Sequence, residues 1–454
     1  MISKLNVLSV SIVLALSVLG GAANAQSELT PIGAEQAGNK DGTIPAWEGM
    51  DQPSGGWAYG KYRGDFWKHK DEKPLFVIDA SNVDKYAEKL TAGQINLIKT
   101  VKGYSMPIYT SHRSCGFPDF IVNNTKASVG KAKIAADGWS LEDAVLPGIP
   151  FPAPKSGLEA VWNFLTRYSG VGVDFPAGTS YVSPAPGTDK GILVTWNQLF
   201  YYPWAAKGAH DTKFEGGMQG GIYYAFKEPA ALAGQAINQR FYFGAETESF
   251  YYFTGQRRVR RLPAYAYDAP LIGFENQYPS DMSFVFFGNP DRFDWKIVGK
   301  KELYVPYNNF KAANFNVPAA EELKPTFVSP DFRRYELHRV VEVVGTVKSG
   351  VRHSSPKKTI YLDEDTWIAL VGDDYDAQGK LWRTKEGGAR PYWEVGACTA
   401  VVQGNFYDFT SGRYVSDPIQ LGAGKDVRIY PEPSDPRLKS SFFTAETLRA
   451  NSER

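Results

Sequence analysis

Apolar and aromatic side chains recur at every second position in many short segments of this chain, and this alternation constrains its fold most. The segment GILVTWNQLFYY at 191–202 is the clearest example. If it is extended, one of its faces carries Ile192, Val194, Trp196, Phe200 and Tyr202. A period of two residues is typical of a half-buried β-strand. Similar segments bounded by turn-forming residues predict strands at 222–227, 239–243, 249–254, 283–287, 295–305, 334–347, 358–362 and 366–371.

The aromatic content supports the same interpretation. Phe, Tyr and Trp make up 14% of the chain, and these residue types are enriched in strands. Many short strands with turns between them predict a large curved antiparallel sheet or half-barrel. We expect helices to close this sheet, so the predicted fold class is mostly β with some α.

Helix signals are concentrated in the first half of the chain. Ser81 and Asp84 have the spacing of a capping box, which predicts a helix over 83–99 with Gly93 weakening its middle. Near the other end, Thr444 has the character of an N-cap for a short helix.

A second capping box, Ser156 with Glu159, predicts a more regular helix that extends through Tyr168. Its apolar stripe would contain Leu158, Trp162 and Leu165.

The first 25 residues predict a cleavable secretory signal peptide. Lys4 precedes an apolar stretch at 5–19, and Ala23, Asn24 and Ala25 form a small-x-small cleavage pattern. The alternative is a membrane anchor, but a spanning helix needs about 20 apolar residues. No cysteine stands at the cleavage point, which argues against lipid anchoring. The predicted location of the mature chain is therefore the periplasm.

Length and charge define the expected organisation and partners. Removing 25 of 454 residues leaves 429, enough for two or three domains or one large β unit. We predict an extended arm at 26–75, a helix-covered half-barrel at 76–435 and a C-terminal tail at 436–454. A net charge of +1 gives no electrostatic reason to expect nucleic acid or an acidic polymer as a partner.

No catalytic motif stands out. The chain lacks a Gly-x-Ser-x-Gly elbow, a His-Glu-x-x-His pair and a phosphate-binding loop. Its five histidines show no short metal-binding spacing, although distant ones could meet in the fold. The segment 374–379 has the start of a calcium loop, but Lys385 stands where a carboxylate is needed, so we interpret it as a turn. We expect no catalytic residue, metal or cofactor.

The two cysteines, Cys115 and Cys398, allow one disulfide, which an exported chain permits. Two separately buried thiols are the alternative.

The densest charge run contains Arg257, Arg258, Arg260 and Arg261. On a strand, Arg257 and Arg261 would point one way and Arg258 and Arg260 the other. One interpretation is a solvated edge strand that its charge protects from mispairing. The other is a surface that contacts an acidic partner or an anionic headgroup.

Aromatic strand faces also suggest a ligand cavity. The candidate wall residues are Trp162, Trp196, Phe200, Tyr202, Phe241 and Phe243. A cavity predicts a non-enzymatic carrier of lipid or another apolar small molecule, whereas a filled core leaves a structural adaptor between envelope partners. A glycan-binding protein or hydrolase is a weaker alternative, because Asp363 and Asp365 flank a turn and no matched acid or base accompanies them.

Several motifs together resemble an exported proteobacterial family often named outer-membrane lipoprotein-sorting protein (domain of unknown function 1329). They are LTPIGAE at 29–35, AGNKDGTIPAW at 37–47, PFP at 150–152, GLEAVWN at 157–163, GQRRVRR at 255–261, GKKE at 299–302, VPYN at 305–308, HR at 338–339, DEDTW at 363–367 and YDAQG at 375–379. The chain departs from the family at 280–282, which often has paired aspartates.

The resemblance implies the fold of the periplasmic lipoprotein carriers, a curved antiparallel sheet closed by helices over an apolar cavity. Related members tend to be encoded beside a resistance-nodulation-division-type exporter and an outer-membrane barrel. The resemblance therefore implies these two proteins as partners in moving apolar cargo.

We predict that the mature protein begins at Gln26. N-terminal sequencing of protein recovered from the periplasm checks this. A retained Met1, or recovery of the protein in the membrane fraction, would contradict the signal-peptide interpretation.

Overall fold

The computed structural model describes residues 28–262, 267–400 and 404–453. Its helices are α1 Ala92–Thr100, α2 Asp119–Ser128, α3 Gly157–Leu165, α4 Phe214–Gly217, α5 Ala319–Glu322 and α6 Ala445–Ser452. Its strands are β1 Phe76–Ile78, β2 Met106–Ile108, β3 Lys133–Ile134, β4 Leu141–Glu142, β5 Gly172–Val182, β6 Ile192–Tyr201, β7 Met218–Glu228, β8 Ala236–Tyr242, β9 Glu248–Phe253, β10 Arg258–Arg261, β11 Phe293–Pro306, β12 Tyr335–Val347, β13 Lys357–Asp363, β14 Ala369–Tyr375, β15 Leu381–Glu386, β16 Arg390–Tyr392, β17 Ala397–Thr399, β18 Gly404–Asp408, β19 Arg413–Ile419 and β20 Arg428–Tyr430.

One large sheet organises the molecule. Sixteen of the described strands belong to it, in the order β1-β2-β12-β13-β14-β15-β18-β19-β5-β6-β7-β8-β9-β10, with β11 beside β12 and β20 beside β5. Its strand pairs are antiparallel except for β2 with β12, which are parallel at Ile108 and Tyr335. β1 and β10 lie at opposite ends of this order, so the sheet is open. The predicted fold class, a large β-sheet with covering helices, is confirmed.

The predicted helix at 83–99 is wrong in its middle. Val83–Lys89 is a 3-10 helix, and the α-helix begins only after Thr91, which forms a capping box with Gln94. A Cβ atom at Gly93 would lie 2.1 Å from an Asp373 carboxylate oxygen. Gly93 therefore permits close packing of α1 on the sheet at its first turn instead of weakening a helix centre.

The second helix prediction is confirmed in position. The Ser156 hydroxyl accepts the backbone N–H of Glu159 at the start of α3. The helix ends at Leu165, three residues before the predicted Tyr168. Gly157 lets its first turn approach β11, because a Cβ there would lie 2.3 Å from the backbone nitrogen of Lys296.

The strand predicted at 283–287 is wrong. This segment consists of turns and bends, and Phe284 and Val285 have φ values of 54° and 76°. A left-handed conformation is incompatible with a strand and is rare for a β-branched residue. The aromatic composition of the segment is strand-like, but its side chains cover the sheet instead of joining it.

β14 also differs from its prediction. It runs from Ala369 to Tyr375, so Asp374 lies in the strand and not in the turn that follows. The Asp374 carboxylate is buried and accepts a hydrogen bond from the Lys385 ammonium at 2.8 Å. Asp376 begins the turn proper, with its carboxylate accepting the backbone N–H groups of Gln378 and Lys380.

The described part of the arm, residues 28–75, contains one isolated bridge, Leu29 with Glu35, and a 3-10 turn at Arg63–Phe66. Buried Ile32 and Ile44 fix it to the body.

The C-terminal tail ends in α6, for which Thr444 is the N-cap as predicted. The tail packs on the face of β6 to β8 that bears Tyr201 and Tyr223, since Phe443 stacks on Tyr201 with ring centroids 5.9 Å apart. We call this the outer face.

Among the residues that the structure describes, no helix has both the length and the apolar character needed to cross a bilayer. The predicted signal peptide lies outside the described residues.

Candidate functional site

The opposite face of β6, β7 and β8, here called the inner face, presents a largely apolar surface. Cross-strand partners on it are Phe200 with Ile222, and Ile222 with Gln239. Gln198, Tyr224 and Ile237 form the next row. The alternation predicted for 191–202 therefore places Trp196 and Phe200 on the correct common face.

The connection between β10 and β11 covers this inner face. Two aromatic contacts join them: Phe284 meets Phe200 with ring centroids 5.8 Å apart, and Phe287 meets Phe241 at 4.8 Å. We call residues 271–288 the cover segment. Clefts lie beside these two ring contacts.

The first cleft lies between the cover segment and β6 to β8, with a volume of about 750 Å³ including its open mouth. Its walls are mainly apolar and aromatic, and it is narrow. The main lining residues are Phe200, Ile222, Tyr224, Phe226, Ile237, Leu271, Ile272, Phe274, Tyr278, Phe284 and Phe287.

The second cleft lies beside the first and shares Ile222, Phe284 and Phe287 with it. Its volume is about 590 Å³ including the mouth. Its remaining walls come from the end of α3, the connection after β6 and the starts of β7 and β8. They include Phe164, Leu165, Arg167, Tyr202, Trp204 and Phe241.

The structure separates the six predicted wall residues into two groups. Phe200 lines the first cleft, and Tyr202 and Phe241 line the second. The other three, Trp162, Trp196 and Phe243, are core residues that line neither cleft.

Core packing explains these three residues. Trp162 packs against Phe243 with ring centroids 6.0 Å apart. Trp196 donates its indole N–H to the Ser180 hydroxyl at 2.7 Å. Sequence alternation identifies a face, but it does not distinguish a residue under open space from one under another side chain.

The missed lining residues come mostly from the cover segment. The sequence predicts a strand at 283–287, and this prediction gives Phe284 and Phe287 no role as a cover. Ile222 lies within the strand predicted at 222–227, and the alternation of that strand is the signal that could place Ile222 on the inner face. Asp417 and Arg167 gave no sequence signal beyond being charged residues beside apolar segments.

Asp417 supplies the charged group of the first cleft. Its carboxylate accepts the Ser180 hydroxyl and the Tyr278 hydroxyl, the latter at 2.6 Å. Burial raises the pKa of Asp417 to about 6, although these two hydrogen bonds lower it. The pKa stays high because no cation pairs with this carboxylate among the described residues.

A buried ion network fastens the middle of the cover segment to the sheet. The Asp281 carboxylate lies 3.0 Å from the His353 imidazole nitrogen Nε2 and 3.1 Å from the Lys358 ammonium. Lys358 and Lys385 both pair with Asp374. Although burial favours protonation, Lys358 and His353 hold the pKa of Asp281 well below its ordinary value. The segment 280–282, where the chain departs from the family, is therefore an anchor of the cover.

Two groups of histidine and carboxylate side chains meet in the fold. His69, Glu72 and His112 meet at the arm, with the His112 imidazole 2.7 Å from Glu72. His338, Asp363 and Asp365 meet in the interior. Burial and the neighbouring Asp365 raise the pKa of Asp363 to about 7.

Arg113 already binds both oxygens of Asp365, at 2.6 and 2.8 Å. The Asp363 and Asp365 pair thus forms part of a buried structural network. The expectations of no catalytic residue and no metal stay predictions.

Cys115 and Cys398 form a disulfide in the structure, with the sulfurs 2.02 Å apart. The bridge ties the segment after β2 to β17.

Most of the arginine run lies on β10, at one end of the sheet order. Arg258, Arg260 and Arg261 are exposed. Arg257 has a φ of 50° and precedes the strand, so it does not share the alternation predicted with Arg261. Whether this run contacts a partner stays a prediction.

A model of the family described as "Protein of unknown function (DUF1329)" matches residues 77–449. The chain belongs to this family. The uncharacterized protein PA3922 of Pseudomonas aeruginosa is 37% identical over 406 residues, covering 87% of this chain and 86% of that protein.

Two solved structures are distant likenesses of this DUF1329 protein. A putative outer membrane lipoprotein-sorting protein domain from Vibrio parahaemolyticus has a TM-score of 0.43 at 12% identity, covering 64% of this chain and 98% of that one. A DUF1329 family protein from Desulfovibrio piger has a TM-score of 0.40 at 14% identity, covering 62% and 92%.

We predict that Asp417→Asn flattens the pH dependence of stability. Burial raises the pKa of Asp417 from its ordinary value of 3.8 to about 6 in the folded protein. The stability that its proton contributes is therefore present below pH 3.8 and lost as the pH rises through about 6. A difference of about two pKa units corresponds to about 3 kcal/mol. Urea unfolding at pH 4.5, 5.5 and 7 measures this slope.

Asp435→Asn is the matched control. Hydrogen bonds from Arg437 lower the pKa of Asp435 to about 2, so its contribution is lost only at more acidic pH. The free energy of unfolding of this variant should change with pH in parallel with that of wild type from pH 4.5 to 7. If the free energy of unfolding of Asp417→Asn also changes with pH in parallel with that of wild type, the pKa of Asp417 is not raised in the folded protein.

Proposed function

We propose that this DUF1329 protein is a non-enzymatic periplasmic carrier that holds a lipid or another apolar molecule in the two clefts under its cover segment. The observation that carries the proposal is the pair of adjoining apolar clefts, which share Ile222, Phe284 and Phe287. A core built only for stability would bring the cover and the inner face into full contact, because protein interiors pack with few voids.

The walls of the clefts support this function. Both clefts are lined mainly by apolar and aromatic side chains, as small-molecule sites typically are. Transfer of an alkyl chain from water to such walls contributes about 0.8 kcal/mol per buried methylene. A chain that extends past Phe284 and Phe287 could occupy both clefts, so the aromatic pair would act as a flexible partition.

The chemistry of the walls supports binding rather than catalysis. The described lining residues of both clefts include no histidine or cysteine. Asp417 is held by two hydroxyl groups, and no second carboxylate faces it there. The first cleft thus has few of the paired groups that acid–base or nucleophilic catalysis requires.

The resemblance described above adds the finer part of the proposal. A carrier located between a resistance-nodulation-division-type exporter and an outer-membrane barrel would receive cargo at one membrane and release it at the other. The exposed arginine run on β10 is our candidate for contact with an acidic partner or an anionic membrane surface.

We predict that Ile222→Lys weakens the binding of an apolar ligand at least about tenfold, because a charge in the shared wall must be desolvated when the cleft fills. Fluorescence titration with N-phenyl-1-naphthylamine measures this affinity. Native mass spectrometry of protein purified from its own periplasm should also show a co-purifying lipid or apolar metabolite.

Leu193→Lys is the matched control, because Leu193 lies on β6 with 46% of its side chain exposed and lines neither cleft. Phe284→Lys tests the same wall from the cover segment if Ile222→Lys fails to fold. A wild-type protein that binds no probe and yields no extractable ligand would contradict the carrier and favour the adaptor.

We predict that Arg258→Ala with Arg260→Ala reduces co-sedimentation with vesicles containing phosphatidylglycerol, since exposed arginines attract anionic surfaces. The melting temperature should change little, because exposed charges contribute little to stability. Arg449→Ala, another exposed arginine, is the control. A sharp drop in melting temperature with unchanged vesicle binding would show that the pair is structural.

A further inference from the structure

The second cleft contains a guanidinium without an acidic partner. Arg167 follows α3 and is mostly buried, and it lines the cleft beside Tyr202. Among the residues that the structure describes, no carboxylate pairs with it, and it donates one hydrogen bond, to the carbonyl oxygen of Phe164 at 2.7 Å. Its Nε–H is buried without a hydrogen-bond partner.

Two aromatic rings attract the Arg167 guanidinium but do not neutralise its charge. The guanidinium lies 4.4 Å from the ring centroid of Phe164 and 5.9 Å from that of Phe284, within the range of cation–π contacts. Burial lowers the pKa of Arg167 to about 10. Buried charges in proteins are normally paired, because desolvation of an unpaired ion is costly.

Helix capping is the competing explanation. Arg167 follows the C-terminus of α3, where a cation interacts favourably with the unpaired carbonyl groups. The cap uses one of the five N–H donors of the guanidinium, however. The buried arginines Arg113 and Arg333 each bind a carboxylate directly. Arg390 is also buried without a carboxylate, but its side chain donates two hydrogen bonds, to the carbonyl oxygen of Asn309 and the hydroxyl of Tyr392. The side chain of Arg167 donates one.

Tyr202 supplies a second polar group on the same wall. Burial raises the pKa of its hydroxyl to about 12, although Arg167 lowers it, so the phenol keeps its proton at neutral pH. A neutral phenol can donate a hydrogen bond to an anion. Arg167 and Tyr202 therefore provide donors in a cleft whose other walls are largely apolar.

Resting on the carrier function proposed above, we infer that the cargo is an anionic amphiphile with a carboxylate or phosphate headgroup. The headgroup pairs with Arg167 and accepts a hydrogen bond from the Tyr202 hydroxyl. The alkyl chain extends past Phe284 and Phe287 into the first cleft. The headgroup would supply the missing counter-ion. The shared aromatic partition would contact the chain. This arrangement explains why one cleft contains an unpaired cation and the adjoining cleft is lined mainly by apolar residues.

The test compares two ligands with the same chain and different heads. Hexadecanoate and hexadecan-1-ol, below their aggregation limits at pH 7.5, compete with N-phenyl-1-naphthylamine for the purified mature protein. We expect hexadecanoate to bind about tenfold or more tightly than the alcohol, since hydrogen bonds to charged groups are strong. Acetate should not compete, because it has no chain. Hexadecyl phosphate in place of hexadecanoate distinguishes the two headgroups.

Arg167→Met should weaken the binding of hexadecanoate and leave the binding of hexadecan-1-ol unchanged. The two affinities should then lie within about threefold of each other. Arg167→Lys should keep part of the preference, and Tyr202→Phe should reduce it without removing a charge. Arg449→Met, on exposed α6, is the control. Tyr202→Phe and the wild-type ligand pair keep the test valid if Arg167→Met fails to fold.

Each outcome has a distinct meaning. Equal binding of both ligands by wild type, or a preference that survives Arg167→Met, overturns the headgroup site and leaves the carrier intact. Failure of both amphiphiles to bind wild type overturns the carrier proposal, and the headgroup site with it.

Discussion

The buried guanidinium of Arg113 is the contact on which the arm, the sheet and the disulfide region depend together. It binds both oxygens of Asp365 in the turn after β13, at 2.6 and 2.8 Å. It also donates to arm carbonyls, of Glu35 at 2.7 Å and Gln36 at 3.0 Å. Burial alone would lower the pKa of Arg113, but the hydrogen bonds and charge of Asp365 raise it on balance. Arginine stays charged in any case.

This one side chain replaces the hydrogen bonds that a regular element would provide. Most of the arm has no strand ladder, so its carbonyl groups need other donors. Arg113 satisfies several of them at once, two residues before the bridged Cys115. Removal of the Arg113 charge would leave the Asp365 carboxylate buried next to Asp363 without a cation. An uncompensated buried charge of this kind is strongly destabilising.

The cover segment shows the opposite balance between charge and apolar contact. Its anchor at Asp281 is a dense ion network, whereas Phe284 and Phe287 meet the sheet through aromatic contacts. Val285 and Phe286 between them are buried, so the segment is fixed in place while Phe284 and Phe287 line the clefts. Arg167 extends this arrangement by adding a cation that an apolar core alone would not retain.

Local periodicity determined much of this structure from the sequence alone. The alternation in 191–202 predicted β6 and its inner face, because successive side chains of a strand point to opposite sides whatever lies above them. Ser156 and Thr444 marked the starts of α3 and α6, since capping depends on neighbouring residues only.

Only the tertiary structure decided what covers each face. Trp196 and Phe200 share a face and an aromatic character, yet the first is core and the second lines a cleft. Phe284 was indistinguishable from a strand residue until the fold placed it across the sheet with a positive φ. The unpaired state of Arg167 and the high pKa of Asp417 likewise depend on which distant groups are absent around them. Contacts between residues far apart in the chain have no local pattern, so the clefts and their two charges emerged only from the packed structure.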